Sequence, residues 1–216
     1  MEKRPLEERA YNFEIRAQEE NNESRIIGRP IVYGSLTDLG LFDEVIAPGA
    51  LKNADLTDVR FLVNHDTSKI PLARSRRNNG HSTMQLTEDE AGLAINVLLD
   101  TENNAEAKAL YSAVQRGDIT GMSFMFSVRH DEWEALDTDH PTRRITDIGT
   151  VVEVSAVTFP AYEATSIYTR GKEALEKARA ALEKAKAEQR ADALEKAQEE
   201  QNTKALELLK EKIKLL

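Results

Sequence analysis

The sequence predicts a mainly β domain, a closed barrel or sandwich decorated with helices, followed by a long helical tail. Three observations carry this reading. Short apolar or alternating runs recur between residues 11 and 157, separated by turns rich in Gly, Pro, Asn and Asp, as many short strands require. Residues 102–116 alone in that stretch switch to apolar spacing of three and four, the helix period. After Gly171 the chain has no Gly or Pro and is mostly Ala, Glu, Lys, Leu, Arg and Gln, the composition of a long helix. The expected division is a β domain over 1–170 and a charged helical tail over 171–216.

Residues 11–16 alternate apolar with polar and predict a half-buried strand. A second strand is expected over 25–33, with Gly28 and Pro30 marking a bulge or a sheet edge. Residues 42–46 make a short third strand, and 50–56 a brief helix. Residues 58–64 form a fourth strand that delivers His65 at its end. Asn79-Gly80 is a hairpin signal. Residues 83–87 and 92–99 are strands on either side of the acidic turn 88–90. Gly117 stops the helix, and residues 121–128 follow as an apolar strand with one hydroxyl inside it, Ser123. Residues 129–145 read as a charged hairpin or excursion. Residues 151–157 are a last apolar strand, with Glu153 set in it.

Composition narrows the function classes. A formal net charge of −9 argues against non-specific nucleic-acid binding, which needs a basic surface to displace phosphate counterions. The 216 residues include no cysteine, which excludes disulfides, thiolate metal sites and cysteine nucleophiles. The N-terminus is charged and without a signal-peptide core, and no run approaches the roughly 20 apolar residues that span a bilayer. A soluble, cytosolic protein with no membrane partner is expected. Residues 172–216 hold eleven Lys or Arg against ten Asp or Glu, so the acidity belongs to the β domain. In the tail Leu175, Ala178, Leu182 and Ala185 keep helical apolar spacing, as do Leu206, Leu209, Ile213 and Leu216, with Gln189 and Asp192 breaking the seam between them. Two readings stand for it: a solvated helix, or one that oligomerises or binds a scaffold.

A serine, a histidine and a carboxylate planted in strand-like segments are the parts of a nucleophilic hydrolase. The imidazole takes the hydroxyl proton, and a third group holds the imidazole's tautomer and stabilises its charge. His65, Ser123 and Glu153 are the candidates. Each also has a plainer reading. Ser123 is small enough to serve close packing beside Gly121, and His65 suits a solvated strand end. Glu153 either points to solvent or has a partner, because burying it unpaired would cost several kcal/mol. Other chemistries are weaker. No metalloprotease, phosphate-loop or Gly-x-Ser-x-Gly motif is present. Asp137, Asp139 and His140 share a loop where solvated charge is the usual case, and Arg74, Arg76 and Arg77 fit a solvated hairpin. No cofactor or metal is expected.

Gly28 with Pro30-Ile31-Val32-Tyr33, then residues 42–50 (FDEVIAPGA) and 61–66 (FLVNHD), resembles the tailed-phage prohead proteases of the HK97 type. Residues 119–124 (ITGMSF) and 152–162 (VEVSAVTFPAY) match the same family in order and spacing. The resemblance covers roughly residues 10–170. That family is distantly similar to the herpesvirus assembly proteases, which implies a closed β-barrel with flanking helices. It makes His65 the general base, Ser123 the nucleophile and Glu153 the orienting third member, with Asp147 the alternative for that role. Residues 159–162 lie where the herpesvirus enzymes place an oxyanion donor, but lack their arginines.

The implied function is a serine endopeptidase inside the assembling prohead, in the host bacterial cytoplasm. Its implied partners are the scaffolding segment of the major capsid protein and a second copy of itself, with self-cleavage and removal of the tail. The competing expectation is a catalytically inactive barrel acting as an internal scaffold.

Overall fold

Two long neighbouring strands set the frame. In the computed structural model, which describes residues 5–11, 14–159, 171–191, 194, 196 and 198, β10 (Gly121–Glu134) and β11 (Thr142–Val157) run antiparallel. Met122, Phe124 and Phe126 of β10 are fully buried on one face, with Val154 and Ala156 of β11 beside them in the same core. Burying each such phenylalanine contributes about 1.5–3 kcal/mol. The register shifts at four places between Met125 and Asp131, and bulges of this kind coil a sheet.

β11 is long enough to hold two parallel neighbours in succession along one edge. β5 (Asp43–Ile46) pairs with Thr142 to Ile145, and β6 (Arg60–Val63) pairs with Glu153 to Ala156. β1 (Leu6–Tyr11) lies on the other side of β10, β4 (Thr37–Asp38) on β5, and β7 (Ala73–Arg74) on β6, which makes seven strands. The second sheet has the order β2-β3-β9-β8, from β2 (Ile15–Glu20), β3 (Glu23–Val32), β8 (Met84–Asp89) and β9 (Gly92–Leu99). The mainly β class is therefore as expected. Among the described residues no strand pairing closes either sheet on itself.

The bulge expected around Gly28 and Pro30 is present, as a register shift between Gly28 and Ile31. β2 pairs only as far as Gly28, so Pro30 sits where its missing N–H leaves no ladder bond unmade. A Cβ on Gly28 would fall 2.4 Å from Met122 Sδ, the residue before Ser123. α1 (Ala105–Arg116) begins at Asn104, whose side chain accepts the Glu106 and Ala107 N–H groups at 2.9 and 3.2 Å. It ends at Gly117 with φ +78°, a left-handed cap that suits glycine. Ala107, Leu110 and Val114 are the buried stripe.

Three local expectations need correction. The strand over 11–16 is two strands, because β1 pairs into the large sheet and β2 into the small one; residues 12 and 13 lie outside the described residues. Residues 50–56 form turns rather than a helix. Asn79-Gly80 does not join a hairpin: β7 and β8 belong to different sheets, linked by a 3-10 turn with Arg76, Arg77 and Asn78 at positive φ. Residues 129–145 are, as expected, a hairpin, the paired outer halves of antiparallel β10 and β11.

β1 escaped notice because its sequence, Leu-Glu-Glu-Arg-Ala-Tyr, looks solvated. Arg9 is fully buried and bonds Glu44 with Nε at 2.5 Å and Nη2 at 2.6 Å. Arg143 bonds Glu7 at 2.6 and 2.9 Å, and cross-bonds Arg9–Glu7 (2.7 Å) and Arg143–Glu44 (3.1 Å) close the network. Burial works to raise the Glu7 pKa, but bonds and charge from Arg143 and Arg9 outweigh it and hold the carboxyl below its ordinary range.

The chain divides into two compact units, Met1–Lys172 and Glu173–Leu216. Residues 171–191 are helical, with a Lys186–Glu183 pair at 3.1 Å and a Lys184–Glu188 pair at 3.9 Å. The second apolar stripe, Leu206 to Leu216, lies outside the described residues.

Candidate active site

Pairing register puts the site on one face of the large sheet. Ser123 lies opposite Ser155, Met125 opposite Glu153, and Leu62 of β6 opposite Ser155. Because paired residues share a face, Ser123, Glu153, Ser155 and Leu62 stand together, while Phe124 and Phe126 take the core side.

His65 reaches this face from the end of β6. Asn64 and His65 both have left-handed φ, 51° and 55°, a conformation that non-glycine residues rarely adopt and that needs outside support. The support is visible. Asn64 N donates to Ala156 O at 3.0 Å, and its side chain exchanges bonds with Thr158 at 3.0 and 2.9 Å. His65 N donates to Ser155 Oγ at 3.2 Å.

The three candidates then meet. His65 Nδ1 lies 2.5 Å from Glu153 Oε1, and His65 Nε2 lies 2.5 Å from Ser123 Oγ. Ser155 Oγ donates to the other Glu153 oxygen at 2.6 Å. Glu153 is 1% exposed, so it is a buried carboxylate with a partner on each oxygen, not a solvent-facing edge residue. A carboxylate at Nδ1 favours the tautomer with the proton there, which leaves the Nε2 lone pair facing the serine hydroxyl.

β1 completes the surroundings. Ala10 is opposite Ser123, and the Arg9 carbonyl accepts the Ser123 hydroxyl at 2.7 Å. The single hydroxyl proton thus has two acceptors in reach, Arg9 O and His65 Nε2. Glu8 Oε1 is 3.4 Å from His65 Nε2.

Sequence reasoning missed Ser155, Glu8 and the Arg9 carbonyl. Ser155 carried a signal, since it is two residues from Glu153 and so on the same strand face. Glu8 and Arg9 carried none. Asp147, the alternative third member, is bonded to Arg129 Nη1 at 2.9 and 3.0 Å and stands opposite His130. Of residues 159–162 only Phe159 is described. Among the described residues one group brings three metal-ligand atoms within 4.8 Å, Asp38, Asp43 and His140, at the far end of β11; Asp137 and Asp139 are not in it.

Comparison with known proteins places the chain in a family. The family model described as caudovirus prohead serine protease matches residues 11–179. The prohead protease of Enterobacteria phage HK97 is 35% identical over 128 residues, which are 57% of this chain and 51% of that protein. This chain thus spans about half the length of that relative. Among solved structures, the bacteriophage T4 capsid assembly protease gp21 is 10% identical with a TM-score of 0.36, covering 70% of this chain and 98% of that one. With a match over most of its length, the chain belongs to the caudovirus prohead serine protease family.

Proposed function

We propose that this chain is a serine endopeptidase of phage capsid maturation, with Ser123 as nucleophile, His65 as general base and Glu153 as the group that orients His65. The observation that carries the reading is the unbroken chain Ser123 Oγ–His65 Nε2 and His65 Nδ1–Glu153, with both contacts at 2.5 Å. His65 takes the hydroxyl proton as Ser123 attacks a peptide carbonyl. It returns that proton to the leaving amine, while Glu153 stabilises the imidazolium in between. A water activated by the same imidazole then hydrolyses the acyl-enzyme.

The substrates in this reading are the scaffolding segment of the major capsid protein and the enzyme itself, within the prohead in the host cytoplasm. The second unit, Glu173–Leu216, anchors the enzyme to capsid or scaffold and is removed by self-cleavage; the change of composition after Arg170 supports this. Closure of the large sheet into a barrel of the herpesvirus-protease type belongs to the same proposal, supported by the bulged β10–β11 pair.

Co-expression of wild type or Ser123→Ala with the major capsid protein of the source phage tests it. Intact-mass measurement is expected to show shortened capsid protein and shortened enzyme with wild type only. Equal masses in both would favour the competing internal-scaffold reading.

A further inference from the structure

A cavity of about 360 Å³ opens between the turn after β6 and α1. We infer that it is a subsite for a large apolar side chain of an extended polypeptide substrate. The inference rests on the endopeptidase reading and adds the substrate class. Location comes first. Asn64 and Asp66, the two chain neighbours of His65, line the cavity. So does Leu62, which the register places on the same sheet face as Ser123 and Ser155, and so does Ile119, just before β10.

Chemistry and size point the same way. The polar groups around the cavity are already satisfied: Asp66 Oδ1 accepts from Ser68 N at 3.1 Å and from Ser68 Oγ at 2.5 Å. Lys69 and Glu106 neutralise each other across it at 2.6 Å. What remains is aliphatic, and a pocket with few unmet polar groups selects an apolar ligand. α1 contributes Ala109 and Ala113, one turn apart, whose single methyls leave the space that leucines would fill. Ile70, another lining residue, is 84% exposed, an apolar surface that a bound chain would cover.

The test is cleavage-site profiling of a proteome-derived peptide mixture with the full chain, read by mass spectrometry. Wild type is expected to enrich Leu, Ile, Met or Phe over Ala at one position by about tenfold, the scale on which apolar pockets discriminate. Ala109→Leu and Ala113→Leu are suited to the helix and fill the cavity. Each is expected to lower cleavage of those sites about tenfold, leave sites with a small residue there unchanged, and leave fluorophosphonate labelling of Ser123 unchanged. Ile119→Ala, which widens the cavity, is expected to shift the preference toward Phe. A wild type that cleaves without preference, or an enrichment that survives both filling variants, overturns the subsite alone. A wild type that neither labels nor cleaves overturns the endopeptidase reading and the subsite with it.

Discussion

Ser155 Oγ donates to Glu153 Oε2 at 2.6 Å and itself accepts the His65 backbone N–H at 3.2 Å. One small side chain therefore fixes both the carboxylate and the left-handed turn that aims the imidazole. A hydrogen bond to a charged group contributes about 1.5–3 kcal/mol, so Ser155→Ala is expected to lower kcat/KM roughly ten- to hundredfold. Steady-state cleavage of a fluorogenic peptide checks this, with thermal unfolding as the control for folding.

Glu153 and Asp147 separate cleanly in space, and their variants are expected to separate in kinetics. Glu153→Gln keeps the shape but removes the charge that holds the His65 tautomer. A loss of up to about 10⁴ in kcat is expected, as for the equivalent change in a serine-protease triad. Asp147→Asn breaks only a half-exposed pair with Arg129 and is expected to leave kcat within about twofold of wild type.

The buried network under β1 predicts a stability effect distinct from catalysis. Arg143→Leu leaves Glu7 and Glu44 short of a buried cation, since Arg9 alone cannot balance two carboxylates. Breaking one partner of a buried pair costs about 3–5 kcal/mol, and denaturant unfolding measures it.

The same network gives a pH dependence with a definite sign. The folded-state pKa of Glu7 is lowered from 4.5, so its contribution is complete above about pH 4.5 and is lost as pH falls through the lower folded value. Melting temperature is expected to be level with respect to this group at neutral pH and to fall below about pH 4.5. The Glu7→Gln variant is expected to be less stable than wild type at neutral pH, to converge toward it in acid, and so to lack that part of the acid slope.

Much of the candidate site was legible because strands declare themselves by apolar runs, and Ser123, His65 and Glu153 each stood within or at the end of one. Their juxtaposition was not legible from spacing, since it depends on β11 pairing with β10 on one side and with β6 on the other. Family motifs supplied that order. β1 was hidden for a physical reason: Glu7 and Arg9 read as solvent-facing until Arg143, 136 positions from Glu7, is seen to neutralise the cluster. The Asn79-Gly80 signal failed because turn chemistry fixes a local bend, whereas sheet membership is decided by what β7 and β8 pair with on their far sides.

The most direct measurement of the central claim is covalent labelling of the intact chain with a fluorophosphonate, with the modified residue located by mass spectrometry. Wild type is expected to take up one label, at Ser123, with none in Ser123→Ala and a rate at least about a hundredfold lower in His65→Ala. Equal labelling of wild type and His65→Ala, or no label at Ser123 under assembly conditions, would contradict the account.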